Sequence, residues 1–175
     1  MMLLQGIISE KLFKEPYMNN EQFCQVLHTY KDTVYRVALN YLKNPHNAED
    51  VSQEVFLRLY RTPNTPKDPD HIKAWLIRVT LNECKRSFSS PWNKLVSIDE
   101  CLALPSFDSP ELTDVYRAVM ALPSKYRVTI YLHYYEGYST GEIASMLGVS
   151  ISAVCSRLER ARNKLKLMLL EEEYV

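Results

Sequence analysis

Glycine is scarce in this chain of 175 residues, and neither sign of charge is in excess. Only four glycines occur, and the alternation of apolar and polar residues that marks strands is rare, which argues against a β-rich fold. Lysine and arginine number 21, as do aspartate and glutamate, so the formal net charge is +0. Binding of nucleic acid would therefore have to come from local clusters of charge.

Motifs for metal binding, disulfides and catalysis are also missing. The four cysteines form no CxxC pair and the four histidines are scattered, so we expect no zinc site, no disulfide framework and no cofactor. No GxSxG, P-loop or HExxH motif is present. There is no apolar run long enough to cross a bilayer, and the amino terminus lacks the pattern of a signal peptide. We expect a cytoplasmic protein with reduced thiols.

Helical periodicity dominates the sequence. It predicts helices at about 20–42, 45–61, 70–88, 111–121, 124–135, 140–147 and 150–170. The segment 89–110 has three prolines and no sustained period, so we interpret it as a linker. The predicted fold is all-α, with two small helical domains joined by an extended linker.

The stretch from Ser139 to Arg162 has the pattern of a helix-turn-helix. Ser139 and Glu142 have the spacing of a capping box. Gly148 can adopt the left-handed conformation that ends a helix, and Ser150 can cap the next one. The apolar positions of that second helix recur at three- and four-residue steps and are expected to face the core. They are Ile151, Val154, Leu158, Ala161 and Leu165.

The opposite face of this helix is small near its start and cationic further on. It carries Ser152, Ala153, Cys155, Ser156, Arg157 and Arg160. Small residues allow close approach to another surface, and arginines one and two turns later can hold phosphates, a pattern typical of a helix that enters a DNA major groove. The alternative is the solvated face of a bundle helix, but caps, turn, small residues and charge together favour DNA.

The third predicted helix has a second cationic face. It carries Trp75, Arg78, Asn82, Lys85 and Arg86, while Ile72, Leu76 and Val79 form the neighbouring inner face. An aromatic ring among cations and an amide suits single-stranded nucleic acid, because the ring stacks on a base and the cations follow the backbone. From the residues alone, a buried Trp75 among solubilising cations is an equal alternative.

The second predicted helix carries a polar stripe that includes one apolar residue. The stripe consists of Asp50, Gln53, Glu54 and Leu57, and Val51, Val55 and Leu59 are expected to face inward. Such a stripe can dock a protein partner. Taken in isolation, it is more often solvated surface.

Three segments of the chain resemble the sigma-70 family of bacterial RNA polymerase subunits, and most closely its extracytoplasmic-function (ECF) group. They are "AEDVSQEVFLRLY", "HIKAWLIRVTLNECKR" and "LPSKYRVTIYLHYYEGYSTGEIASMLGVSISAVCSRLERARNKLK". They resemble the family's core-polymerase-binding segment, its −10 segment and its −35-binding domain, in the family's order and spacing.

The resemblance implies a function and a division into domains. Residues 1–18 would be an amino-terminal extension, 19–88 a region 2-like domain, 89–110 the linker and 111–175 a region 4-like helix-turn-helix domain. The chain would be a non-catalytic initiation subunit that binds core RNA polymerase and directs it to −10 and −35 promoter elements to start transcription.

The resemblance also assigns residues to three binding surfaces. Core polymerase would be bound by Asp50, Gln53, Glu54, Phe56 and Leu57. The −10 element would be bound by Trp75, Arg78, Asn82, Lys85 and Arg86, although many relatives have an acidic residue at the position of Arg86. The −35 element would be bound by Arg127, Ser152, Ala153, Ser156, Arg157 and Arg160.

Core RNA polymerase and promoter DNA are the expected partners, and the resemblance allows an anti-sigma factor as a third. No small-molecule substrate and no membrane insertion are expected. The main alternative is a helix-turn-helix repressor or activator that never joins polymerase, which would have no use for the two surfaces of the first domain. An enzyme using cysteine or histidine lacks a motif, and a helical adaptor would leave the basic helix unexplained.

Overall fold

The computed structural model describes residues 18–62, 68–88 and 110–172, where seven α-helices and no strand are found. The helices are α1 (Asn20–Leu42), α2 (Pro45–Arg61), α3 (Pro69–Phe88), α4 (Pro110–Ala121), α5 (Ser124–Ile130), α6 (Thr140–Leu147) and α7 (Ile151–Glu172). A π-helical turn, Tyr131–Tyr135, continues α5. The predicted all-α class is confirmed, while the expected linker lies, up to residue 109, outside the described residues.

Two asparagines and a proline set the break between α1 and α2. The Asn19 side chain accepts a hydrogen bond from a first-turn amide at 2.8 Å and so starts α1. The helix ends at Lys43, which takes a left-handed conformation with φ 59°. Asn44 then caps α2 at 2.9 Å, and Pro45 occupies a first-turn position where its missing N–H is not needed. The second helix therefore begins directly after the first and packs against it.

The apolar faces of α1, α2 and α3 pack together into the first module. Its buried residues include Val34, Ala38, Val51, Val55, Leu59, Ile72, Leu76 and Val79. The inner faces expected for α2 and α3 are thus the ones that are buried. Each of the buried valine, leucine and isoleucine side chains stabilises the module by about 1.5–3 kcal/mol relative to an exposed position.

Helices α4 to α7 form the second module. Its core includes Leu122, Tyr126, Val128, Leu132, Ile143, Leu147, Val154, Leu158 and Ala161. Helices α5 and α6 both pack on α7, so they support the helix-turn-helix from behind.

The two modules pack against each other. Val37 of α1 and Ile77 and Leu81 of α3 are fully buried, and all three belong to the core of the second module. Helix α1 contacts α5, and α3 contacts α6. The sequence predicts two helical modules but not this contact, because apolar residues turned toward a neighbouring module look the same as apolar residues of a module's own core.

The π-helical turn interrupts the single helix predicted for 124–135. The backbone N–H of Glu136 bonds the carbonyl of Tyr131, five residues back, at 3.1 Å. Gly137 then takes a positive φ of 77° and ends the segment. A π-turn adds one residue to a helical turn, and here it brings Tyr135 and Glu136 against the first module.

Candidate nucleic-acid and polymerase interface

The helix-turn-helix begins with a complete capping box, as predicted. The Ser139 hydroxyl oxygen accepts the Glu142 N–H at 3.3 Å, and the Glu142 carboxylate accepts the Ser139 N–H at 2.8 Å. Hydrogen bonds from the Ser139 side chain and backbone hold the pKa of Glu142 below its ordinary value. The start of α6 is therefore fixed by two reciprocal bonds.

The turn that follows has the expected chemistry. Gly148 has φ 68° and ends α6 in the left-handed conformation, and the N–H of Val149 bonds the carbonyl of Ala144 at 3.1 Å. The Ser150 hydroxyl accepts the Ala153 N–H at 3.2 Å and caps α7. These contacts set the angle at which α7 leaves the turn.

Helix α7 buries one stripe of side chains in the second module and exposes the opposite stripe to solvent. Val154, Leu158 and Ala161 are buried as expected. Ile151 does not face the core: its side chain is 55% exposed, because it stands at the first position of the helix, ahead of the packed turns.

The face of α7 expected to bind DNA, here called the α7 outer face, points largely into solvent. Its members are Ser152, Ala153, Cys155, Ser156, Arg157 and Arg160, of which only Ala153 and Arg157 are partly covered. The Arg160 guanidinium lies beside the Tyr126 hydroxyl and lowers its pKa. The outer face therefore combines a small-residue start with cations further along the helix.

The cationic face of α3 is defined by Trp75, Arg78, Asn82, Lys85 and Arg86. All except Trp75 are exposed. The indole is partly buried and packs against the core of the first module.

Helix α6 bonds two members of this α3 cationic face. A guanidinium nitrogen of Arg78 donates to the Ser145 hydroxyl at 2.9 Å. The Lys85 ammonium donates to the carbonyl of Leu147 at 3.3 Å. In this arrangement two of the cations expected at the −10 strand bind the helix-turn-helix.

Arg127 lies at the junction of the modules rather than on the surface. Its side chain is 2% exposed, and its guanidinium donates to the carbonyls of Asn40 and Tyr41, which end α1. It also donates to the carbonyls of Met120, at 3.0 Å, and Leu122. Burial lowers the pKa of Arg127 to about 10, so the group remains a cation at neutral pH. Arg127, which the resemblance places at the −35 backbone, is thus enclosed by backbone carbonyl groups in this structure.

The polar stripe of α2 consists of Asp50, Gln53, Glu54 and Leu57, and all four are exposed. Leu57 is 45% exposed, which is unusual for a leucine on a helix with a packed opposite face. Phe56, also expected to bind polymerase, is only 6% exposed and packs into the first module. Only a small part of its surface is therefore open to a partner.

An open groove runs beside the α2 stripe, between α1 and α2. Helix α1 contributes Phe23, Leu27, Lys31, Asp32 and Tyr35, and α2 contributes Glu49, Ser52, Gln53, Phe56 and Leu57. The sequence did not predict that α1 forms one side of this groove. The spacing of Phe23 and Leu27, one turn apart, is the signal that could have pointed to it.

The described ranges offer no metal centre and no candidate membrane span. Among residues 18–62, 68–88 and 110–172, no cluster of three or more His, Cys, Asp or Glu could hold a metal ion. Within the same ranges no helix combines the length and apolar character needed to cross a bilayer. Cys24 and Cys155 are exposed free thiols, and burial raises the pKa of the free thiol of Cys84 to about 12.

Both modules match known protein families. Residues 26–93 match the family Sigma-70 region 2, and residues 112–165 match Sigma-70, region 4. The chain is 30% identical over 147 residues to the ECF RNA polymerase sigma factor SigL of Mycobacterium tuberculosis, covering 79% of this chain and 83% of that relative. It is 24% identical over 184 residues to the ECF RNA polymerase sigma factor SigW of Bacillus subtilis strain 168, covering 95% and 98%.

A solved structure extends the similarity to three dimensions. The fold is similar to that of the sigma factor RpoE from Bartonella quintana, in complex with the anti-sigma factor NepR, with a TM-score of 0.68 and 25% identity over 84% of this chain and 96% of that one. The chain belongs to the sigma-70 family of RNA polymerase sigma factors, in its ECF group. It binds core RNA polymerase and directs it to promoters to start transcription, and the alternative of a regulator that never joins polymerase is not favoured.

Proposed function

We propose that this sigma factor uses the α7 outer face for the −35 element, the α3 cationic face for the −10 strand and the α2 stripe for core polymerase. The observation that carries the proposal is the α7 outer face: a capped helix-turn-helix presents small residues followed by arginines. The proposed domains are an extension at 1–18, a region 2-like domain at 19–88, a linker at 89–110 and a region 4-like domain at 111–175.

The α7 outer face supports reading of duplex DNA. Ser152 and Ser156 are exposed and small, so the helix backbone can approach base edges in a major groove. Arg157 and Arg160 follow and can bond a base or a phosphate. We assign the first turns of α7 to base contacts and the arginines to a combination of base and backbone contacts.

The α3 cationic face supports capture of an unpaired strand. Trp75 packs against the first-module core but is only partly buried, so the uncovered part of the indole can stack on a base. Asn82 is exposed one turn before Arg86 and can bond a base edge. Stacking of a flipped base offsets part of the few kcal/mol that unstacking costs.

The α2 stripe and the neighbouring groove support docking of a protein surface. Asp50 and Glu54 supply negative charge at the rim, while Leu57 and Phe23 line an apolar floor. An apolar centre with a charged rim is the usual anatomy of a protein interface. We therefore place core polymerase on this surface, with the α1 wall of the groove as part of it.

We also propose that the chain is a non-catalytic, cytoplasmic subunit. The chain supplies binding and orientation, and polymerase supplies the chemistry of nucleotide addition, so no covalent step is assigned to this chain. We place the protein in the cytoplasm with its polymerase. The similarity to a sigma factor solved with an anti-sigma factor supports an anti-sigma factor as a further partner.

Binding of variant chains to −35 duplexes tests the α7 assignment. Arg157→Ala should weaken binding to the preferred duplex by about 1–3 kcal/mol if the guanidinium reads a base pair. Lys166→Ala removes the same charge further along α7 and serves as the matched control, with a smaller loss that is equal on all sequences. Equal affinity of wild-type and Arg157→Ala for every duplex would contradict the assignment.

Transcription with purified core polymerase tests the function as a whole. Added to core enzyme, the chain should produce transcripts from defined promoter start sites. The double charge reversal Asp50→Lys with Glu54→Lys should reduce association with core enzyme, whereas Asp114→Lys, on the second module, should not. Unchanged association of the double variant would remove the α2 stripe from the proposal, and no promoter-specific transcript from wild-type would overturn the function.

A further inference from the structure

A buried carboxylate joins the helix proposed for core polymerase to the helix proposed for the −10 strand. The Glu83 side chain of α3 is only 7% exposed, and one of its oxygens lies 2.7 Å from a guanidinium nitrogen of Arg58 on α2. Nη1 of Arg86, three residues further along α3, donates to both carboxylate oxygens, at 3.3 and 3.0 Å. One anion is thus shared by two cations, and Arg58, Glu83 and Arg86 are called the Glu83 cluster.

The two ion pairs of the Glu83 cluster differ in what they contribute. The pair with Arg58 joins α2 to α3 and supplies the partner that a buried carboxylate needs. The Arg86 side chain is 70% exposed, and an ion pair with so exposed a cation adds little to stability. The effect of the second pair is therefore on Arg86 itself, because it sets the direction of the guanidinium.

The Arg86 guanidinium is held at one nitrogen and open at the others. Both of its bonds to Glu83 use Nη1, and Nη2 and Nε bond none of the residues that the structure describes. A guanidinium is planar, so bonds at one nitrogen restrict the directions in which the remaining N–H groups point. A side chain that is already held loses less conformational freedom when it binds a ligand.

Arg86 also lies at a useful place on the α3 cationic face. Asn82 is exposed one turn earlier on the same face. Arg78 and Lys85 bond α6 of the second module, whereas Arg86 is bonded by its own module. The first module therefore directs the Arg86 guanidinium, next to an amide that can bond a base edge.

We propose that Glu83 is a positioning residue for −10 recognition: it holds Arg86 so that the open N–H groups meet the unpaired strand beside Asn82. The inference rests on the proposed function of the α3 cationic face. Simple electrostatics predicts the opposite effect of this carboxylate. An anion beside the strand repels phosphates, so its removal alone would tighten binding to every sequence. A positioning role instead makes sequence discrimination depend on Glu83.

Binding of single-stranded DNA to the chain in complex with core polymerase tests the role of Glu83. The probes are a fluorescent strand that carries the −10 element of a promoter mapped by transcription and a scrambled strand of the same composition. The ratio of the two dissociation constants measures discrimination. Glu83→Gln should lower this ratio on the order of fivefold, as expected for a weakened contact to a base. Partial unfolding weakens binding to both strands equally, so it does not change the ratio.

Three variants serve as controls. Arg58→Met removes the other partner of Glu83, so it should lower the free energy of unfolding and keep the discrimination ratio. Asp114→Asn makes the same charge change in an ion pair within α4 and should also keep the ratio. Arg86→Ala should lower the ratio, and adding Glu83→Gln to it should have no further effect, because the two residues act through one contact.

Arg86→Lys replaces Glu83→Gln in the test if circular dichroism shows that the latter does not fold. Lysine keeps the charge at this exposed position but lacks the planar fork, so the ratio should fall while the salt dependence of binding stays the same. An unchanged ratio in folded Glu83→Gln, or in Arg86→Lys where it takes that place, would overturn the inference. An equal fall in Arg58→Met would also overturn it, since Glu83 would then act by joining α2 to α3.

The wild-type chain separates this inference from the function on which it rests. Discrimination by wild-type and its loss in Arg86→Ala, together with an unchanged ratio in Glu83→Gln, would remove only the positioning role. Equal binding of both strands by the wild-type complex would remove the −10 assignment of the α3 cationic face itself.

Discussion

The carboxylate of Glu83 on α3 lies 2.7 Å from the guanidinium of Arg58 on α2. The same carboxylate holds Arg86, at 3.0 Å, three residues further along α3. Only 7% of the Glu83 side chain is exposed, so a buried anion fixes one cation from each of two helices. Arg86, on the α3 cationic face, thus has an anionic partner inside the first module.

Removal of this carboxylate should destabilise the first module. Glu83→Ala leaves Arg58 without its partner, but Arg58 is 38% exposed and can be hydrated, so we expect a loss of about 1–3 kcal/mol in the free energy of unfolding. Urea unfolding measures it. Asp114→Ala, which breaks a surface pair within one helix, should change stability by about 0.5 kcal/mol or less. Equal losses in the two variants would show that the Glu83 cluster contributes no more than a surface pair.

Replacing each of the two glycines of the helix-turn-helix by alanine should change the stability of the fold in opposite directions. Gly148→Ala places a side chain at φ 68° and should lower the free energy of unfolding by about 1–2 kcal/mol. Gly141→Ala lies within α6, where no atom is within 4 Å of the added methyl group, and should stabilise the fold by about 0.5–1 kcal/mol. Thermal unfolding of both variants checks the prediction, and a stabilising Gly148→Ala would contradict the left-handed turn.

The capping box should make a contribution to stability that depends on pH. Ser139→Ala should lower the free energy of unfolding by about 1 kcal/mol at neutral pH. The pKa of Glu142 is lowered in the folded state by hydrogen bonds from the Ser139 side chain and backbone. A carboxylate of this kind stabilises the fold above its unfolded pKa, and this contribution is lost as pH falls through the folded value.

The difference in unfolding free energy between wild-type and Ser139→Ala should therefore shrink in acid, below the ordinary range of a glutamate pKa. Chemical unfolding at a series of pH values measures it. Glu142→Gln should remove most of the pH dependence while retaining the helix. A difference that does not vary with pH would indicate that the hydroxyl cap acts without the carboxylate.

Thiol reactivity should report the exposure of α7. In a Cys101→Ser chain at neutral pH, iodoacetate should modify the exposed Cys24 and Cys155 and spare Cys84, whose pKa burial raises to about 12. The carboxymethyl group on Cys155 adds bulk and negative charge to the α7 outer face, so affinity for a −35 duplex should fall. Cys155→Ser should retain affinity after the same treatment, and a loss there would place the effect at Cys24.

Local rules account for most of what the sequence predicted. Helix boundaries followed from Asn19, Pro45, the Ser139–Glu142 box and Gly148, each of which acts through contacts within a few residues. The α7 outer face followed from the same periodicity, because a helix with a packed stripe must present the opposite stripe to solvent.

Long-range contacts account for what was missed. Arg127 has the sequence context of a surface cation, and only the approach of α1 supplies the carbonyls of Asn40 and Tyr41 that enclose it. Val37 and Ile77 have the spacing of ordinary core residues, yet they pack in the core of the other module. No periodicity distinguishes these cases, since the partner lies tens of residues away along the chain.

The π-helical turn lets the contact between the modules tolerate one extra residue in the chain. A π-turn holds one residue more than an α-helical turn, so Tyr131–Tyr135 takes up that residue while Glu136 still lies 2.8 Å from Lys73 of α3. Loss of one residue here would return the segment to regular α-helical winding and leave Glu136 facing nearly the same way, whereas in a uniform α-helix each lost residue rotates everything beyond it by about 100°. Chain length can therefore vary by one residue at this turn while the two halves of the molecule keep their packing.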